Sequence, residues 1–241
     1  MYIDWCGLSD TGTVKNVNQD SILCDVCKTE KGDIGIFAVA DGVGGLECGE
    51  IASKIAIETL TGWWKKLSSQ SNSEKMLSET LIKNIADINA KIASHPYNMA
   101  TTLSLLMLSN DKYYILHIGD SRIYHYKGGV FGSFEQLTPD HSTMILKVVN
   151  GTEIEKSVLT DCLGRKSKSG YYSAVFTLCS GDLFMLCSDG IYKTQSAKEI
   201  KKIILQNKES TTNICESLIT QAKNNGETDN ISVIAVKASL K

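Results

Sequence analysis

Proline is nearly missing from this chain: Pro96 and Pro139 are the only two in 241 residues, and both lie between periodic segments. No internal repeat or low-complexity tract appears. No apolar run reaches about 18 residues, which excludes a membrane-spanning helix. Neither sign of charge dominates, with 25 basic and 27 acidic residues, which argues against non-specific nucleic-acid binding, since that needs a basic face. The opening Met1-Tyr2-Ile3-Asp4-Trp5-Cys6 lacks the basic and apolar regions of a signal peptide, and a reducing, cytoplasmic location is expected. The histidines, His95, His117, His125 and His141, never pair at the i, i+4 spacing of a helical zinc site. Cys24-x-x-Cys27 has no second ligand pair at similar spacing, so it is read as two thiols near a strand end.

What is present is a substantial apolar fraction, 42% of residues, enough for a large core and in keeping with one unit spanning residues 1–241. Apolar runs of strand length cover Ile34–Ala40, Thr102–Leu108, Tyr113–Ile118, Arg122–Tyr126, Val175–Leu178, Leu183–Cys187 and Ile231–Val236. Lys127-Gly128-Gly129 predicts a hairpin turn leading to a strand near Val130–Leu137, and Asn110-Asp111 separates two further runs. Neighbouring strands joined by such short turns must pair antiparallel.

Four helices are expected: Gly49–Leu67, Ser71–Ser94, one from the capping box Ser196-x-x-Glu199 to about Gln206, and one over Thr212–Lys223 that stops at Asn225-Gly226. The second also opens on a capping-box pattern, Ser71-x-x-Glu74. Helices come in pairs and do not alternate with strands, which argues against a doubly wound parallel sheet. The expected architecture is an α+β four-layer α-β-β-α sandwich of two mainly antiparallel sheets flanked by helix pairs. Residues 138–170 are polar and weakly periodic, and are expected to form a loop-rich, flap-like excursion near the site.

The chemistry is carried by aspartate. Phe37-Ala38-Val39-Ala40-Asp41-Gly42 and Phe184-Met185-Leu186-Cys187-Ser188-Asp189-Gly190 share one design, an apolar run ending in Asp-Gly. Asp20, Asp120 and Asp229 also fall at turn-like ends of apolar runs. One such Asp is usually a turn residue bonding its own backbone. Several converging carboxylates would repel one another unless cations offset them, and an oxygen-only donor set selects hard ions such as Mg²⁺ or Mn²⁺ over Zn²⁺.

These residues resemble a known family. Ser9-Asp10-x-Gly12-x-Val14-Lys15-x-x-Asn18-Gln19-Asp20 is similar to the opening motif of the metal-dependent Ser/Thr protein phosphatases of the 2C type, short bacterial form. Ala38–Gly45 with Gly49-Glu50-x-Ala52-Ser53, Met99-Ala100-Thr101-Thr102-Leu103, Ile118–Tyr124 and Gln136–Ser142 follow in family order. Val158–Gly164, Cys187-Ser188-Asp189-Gly190 and Gly226-x-x-Asp229-Asn230-Ile231-Ser232-Val233 complete the series. The resemblance implies hydrolysis of phosphoserine and phosphothreonine in phosphoproteins by a water activated between two ions, Mn²⁺ or Mg²⁺. Asp41 would bridge both ions, the Gly42 carbonyl would join one, and Asp189 and Asp229 would hold the other. Asp120 with Asp189 would take a third, weaker ion. Asp20 and Thr102 would bond ion-bound waters, and Lys15 would bind the substrate phosphate. Implied partners are a Ser/Thr kinase and its targets, met by a monomer, with neither nucleic acid nor membrane involved. The alternatives are a pseudophosphatase, a phosphoprotein-binding regulator of the same fold, or a phosphatase of regulatory switch proteins.

The chain departs from the family pattern in places. Lys15 replaces an Arg that grips phosphate bidentately, so weaker phosphate binding is predicted. Ala100 replaces a Gly, which is tolerable where φ is negative. Val43 stands where some relatives carry an acidic His. None of the eight cysteines has a Cys-x5-Arg phosphate loop. Trp63-Trp64 is read as one ring packed on the sheet and one at the helix end.

Overall fold

The computed structural model describes residues 1–30, 32–43, 46, 48–67, 74–128, 132–149, 152–165 and 170–240. Two five-stranded sheets form the centre. The first runs β1(Tyr2–Asp10), β12(Ile231–Ser239), β11(Leu183–Cys187), β6(Arg122–Lys127), β7(Ser133–Gln136). The second runs β10(Tyr172–Thr177), β5(Lys112–Ile118), β4(Leu103–Ser109), β3(Gly32–Asp41), β2(Asp20–Thr29). Neighbours within both sheets pair antiparallel, so the expected four-layer sandwich is observed.

The central strands are apolar on both faces because both are covered. Along β3, Ile36, Ala38 and Ala40 point to helices α1(Gly49–Leu67) and α2(Glu74–Ala93), while Phe37 and Val39 point between the sheets. Along β12, Ile231, Val233 and Ala235 meet the other helical layer, while Ile234, Val236 and Ala238 meet the inter-sheet core. That second layer is α4(Ala197–Asn207) and α5(Thr211–Asn224), with a short turn of helix, α3(Asp189–Tyr192), before them. Full burial of one Leu or Phe in such layers contributes about 1.5–3 kcal/mol.

Local signals set the helix ends. Ser196 Oγ accepts from the Glu199 N–H at 3.3 Å and the Glu199 carboxylate accepts from the Ser196 N–H at 2.8 Å, closing the predicted capping box. The chain leaves α5 through Gly226 at φ +82°, a left-handed value that suits glycine. Ser71 of the second capping box and Gly129 of the predicted Lys127-Gly128-Gly129 turn lie outside the described residues. Trp64 is buried, and its indole N–H donates to Asp25 at 2.9 Å.

Two expectations need correction. Residues 138–170 are not loop-rich: β8(Ser142–Val149) and β9(Thr152–Leu159) pair antiparallel as a separate hairpin. Met144, Ile145 and Leu146 are exposed on it, so among the described side chains no buried face imposes the polar-apolar alternation by which strands are read. The strands β1 and β2 are also additional. Their side chains are largely half-buried and mix Cys, Asp and Ser with apolar residues, which blurs the same signal.

Candidate active site

Every aspartate singled out from the sequence lies at one end of the sandwich. Asp20 opens β2 and Asp41 closes β3, and the two are directly opposed in register. Asp120 sits in the turn between β5 and β6, Asp189 follows β11 as the first residue of α3, and Asp229 precedes β12. Asp41, Gly42, Thr102, Asp120, Asp189, Asp229 and Lys15 line one cavity of about 1070 Å³. Asp20 is buried beneath it.

Two glycines allow this convergence. A Cβ on Gly190 would stand 2.1 Å from the Asn230 carbonyl oxygen, and one on Gly42 would stand 2.3 Å from that of Gly49. Only hydrogen fits, so the Asp189 turn can touch the Asp229 turn and the Asp41 turn can touch the start of α1. Ala100 causes no such conflict, since the positive-φ non-glycine residues are Cys48 and Asn110.

The aspartates are held by further groups, of which Ser188, Ser232 and Asn230 stand in the quoted motifs without an assigned role. Ser188 Oγ and Ser232 Oγ donate to Asp20 Oδ2 at 2.8 and 2.6 Å. Asn230 Oδ1 accepts from the Gln19 N–H at 2.9 Å, and its amide donates to the Thr11 and Val17 carbonyls at 2.9 and 3.1 Å. Asn230 therefore ties the loop carrying Lys15 to the Asp229 turn. Thr102 Oγ1 accepts from the Asp41 N–H at 3.0 Å and pairs with Ser121 Oγ at 2.7 Å, so its hydroxyl fixes the Asp41 backbone. The Tyr192 hydroxyl donates to the Asp120 carbonyl at 2.8 Å, and the Arg122 guanidinium lies 3.5 Å over the Tyr192 ring.

Charge is unevenly offset. Burial, then Asp20, Asp189, Asp120 and Asp229, push Asp41 well above the usual carboxylate range. Burial and then Asp189 raise Asp120 to about 6. Burial raises Asp20 to about 6 against its two serine donors, and burial also raises Asp189 against Lys193. Asp229 is the exception: burial pushes it up, but the Asn230 N–H and the Lys193 and Lys15 ammonium groups together hold it below its ordinary value. Lys15 Nζ is 3.2 Å from Asp229 Oδ1. Lys193, which the sequence reading missed, lies 2.5 Å from Asp189 Oδ2 and 3.6 Å from Asp229 Oδ2. Its i, i+4 spacing from Asp189 was the available signal. Among the described residues no three His, Cys, Asp or Glu side chains already surround one point at ligand spacing. The donors nonetheless fit hard divalent ions: they are oxygen-only, mutually repelling, and carry more negative charge than two lysines neutralise.

This fold and this acidic end define a class, and the chain belongs to the protein phosphatase 2C family, which it matches over residues 12–231. It is similar to the serine/threonine phosphatase stp of Listeria monocytogenes, with 29% identity over 248 residues covering 96% of this chain and 94% of that protein. It is also similar to the protein phosphatase PhpP of Streptococcus pneumoniae, at 31% identity over 242 residues and 95% of each chain. Among solved structures, the S. agalactiae serine/threonine phosphatase superposes with a TM-score of 0.80 at 26% identity, over 99% of this chain and 100% of that one. The catalytic domain of PstP in complex with 2 manganese ions shares the fold, with a TM-score of 0.72 at 24% identity over 98% and 97% of the two chains.

Proposed function

We infer that this chain is a phosphoprotein phosphatase: it hydrolyses phosphoserine and phosphothreonine in proteins with the help of divalent metal ions. The observation that carries the site assignment is the gathering of Asp41, Asp120, Asp189 and Asp229 on one cavity. In this reading Asp41 and the Gly42 carbonyl would hold one ion, and Asp189 and Asp229, with Asp41, would hold the other. When bound, such ions supply an activated water and offset charge on the phosphoryl oxygens.

The remaining work falls to the chain's own groups. Lys15 presents its ammonium to the phosphate, where charge develops as the bond to the Ser or Thr oxygen breaks. Asn230 keeps the Lys15 loop seated, Thr102 holds the Asp41 backbone, and Asp20, gripped by Ser188 and Ser232, ties the start of β2 to the segments carrying Asp189 and Asp229. The base of the β8–β9 hairpin, at Lys156–Leu159, walls the cavity on one side and would meet residues flanking the phosphorylated one. The reading extends to Mg²⁺ beside Mn²⁺, to a third, weaker ion at Asp120 and Asp189, and to a Ser/Thr kinase and its targets as substrates. It further takes the chain to act as one catalytic unit, as a monomer, in the cytoplasm.

The test is turnover of a phosphothreonine peptide with Mn²⁺, with chelator, and in Asp41→Asn. Release of phosphate that chelator and the substitution both abolish is the expected result. Peptide binding without turnover would make the chain a pseudophosphatase and overturn the reading.

A further inference from the structure

Lys193 follows α3 one helical turn after Asp189, and its side chain folds back over that carboxylate. Its backbone N–H donates to the Asp189 carbonyl at 3.0 Å, so the stem is anchored to the residue its tip contacts. One ammonium thus spans Asp189 and Asp229, at 2.5 and 3.6 Å. It joins the end of β11 to the turn before β12, the two segments assigned above to a single ion. Lys15 takes the remaining oxygen of Asp229 at 3.2 Å. Among the described residues, by contrast, no ion pair reaches Asp41. The lysines are therefore distributed over one half of the acidic site and not the other.

An ammonium and a divalent ion held on the same pair of carboxylates repel each other at contact distance, so seating the ion drives the ammonium off. The side chain of Lys193 is about half exposed, at 45%. It can therefore swing into the cavity or to water without leaving a buried charge. We propose that Lys193 is a tethered counter-cation for the Asp189–Asp229 pair, which a divalent ion displaces on binding, so that this lysine weakens the hold on that ion more than the hold on the ion at Asp41 and Gly42. The proposal rests on the metal assignment above. Its consequence is an Asp189–Asp229 pair that stays partly charge-compensated without the ion and exchanges that partner for the ion as ion concentration rises. Breaking one or two charge-assisted hydrogen bonds for each exchange weakens that ion's binding by about tenfold to a hundredfold.

The experiment uses the full chain, stripped with chelator and titrated with Mn²⁺ alone. Binding is followed by calorimetry and by the electron paramagnetic resonance signal of free Mn²⁺. Lys193→Met, of similar length without charge, should tighten one binding event by about tenfold or more and tighten the other by a smaller factor. Lys193→Arg should stay near wild type. Thermal unfolding supplies a second readout. Without Mn²⁺ the Met variant should melt below wild type, because Asp189 has lost its partner, and at saturating Mn²⁺ the gap should close. A merely structural lysine would lower the midpoint equally with and without the ion, which would overturn the proposal. Equal or weaker Mn²⁺ binding by Lys193→Met would overturn it as well. Asp189→Asn run alongside keeps the two claims separate. If it loses Mn²⁺ binding while Lys193→Met behaves as wild type, the metal assignment stands and the lysine proposal falls. If wild type binds no Mn²⁺, both fall.

Discussion

Ser232→Ala isolates the buried anchor of the site. Ser232 is fully buried, and its hydroxyl donates to Asp20 Oδ2 at 2.6 Å while pairing with Ser9 Oγ at 2.8 Å. Ser9 Oγ also accepts from Asn18 at 2.8 Å and so keeps a partner when Ser232 is truncated; the main loss is one of two serine donors to a buried carboxylate. A hydrogen bond to a charged group contributes about 1.5–3 kcal/mol and a neutral one about 1 kcal/mol. The Asp20 carboxyl titrates near 6 in the fold, above its ordinary 3.8. A raised folded pKa means that the fold binds more protons than the unfolded chain between those values. The contribution of Asp20 to stability therefore falls as pH rises through that window. The serine favours the ionised form, so its removal costs the full amount above the folded pKa and less below it. Urea unfolding in chelator should show a loss of about 2 kcal/mol at pH 8 and about 1 kcal/mol at pH 5. An equal loss at both pH values, or none at pH 8, would refute the assignment of Ser232 to a charged Asp20.

The remaining predictions concern the convergence itself. Asp41→Asn removes a carboxylate that burial and four neighbouring aspartates disfavour. In chelator it should unfold at higher urea than wild type, by about 1 kcal/mol or more, while catalysis is lost; unfolding at lower urea would contradict the repulsion argument. Gly190→Ala, whose Cβ would stand 2.1 Å from the Asn230 carbonyl oxygen, should cost about 2 kcal/mol and depress kcat. Gly62→Ala, on the exposed side of α1 with nothing within 4 Å, should instead stabilise by about 0.5–1 kcal/mol with kcat unchanged. Lys15→Arg should lower KM for a phosphopeptide through bidentate contact, and unchanged KM and kcat would remove Lys15 from phosphate binding.

The position of the site follows from the order of the layers. Strands covered on both faces have rigid, dry middles, and side chains that must meet ions and solvent can stand only at their ends. Antiparallel pairing of β2 with β3 places the start of one beside the finish of the other, which is why Asp20 and Asp41 face each other. Antiparallel pairing of β11 with β12 does the same for the turns carrying Asp189 and Asp229.

Much of this was legible in the residues alone. The runs that became β3, β4, β11 and β12, the helix over Gly49–Leu67 and the Ser196 box are local patterns, dictated by side-chain periodicity and by backbone groups that must be capped. The aspartates were marked by their place at the ends of those runs. Tertiary structure alone decided the pairing of β8 with β9, which no buried face among the described side chains announces. It also decided the anchoring of Asp20 by Ser188 and Ser232, and the reach of Lys193 across two carboxylates. Those contacts depend on sheet register and on how turns abut. Asp20 and Ser232 are separated by 212 positions, and no local preference of either residue encodes the other; only the closed pairing of strands brings them within hydrogen-bond distance.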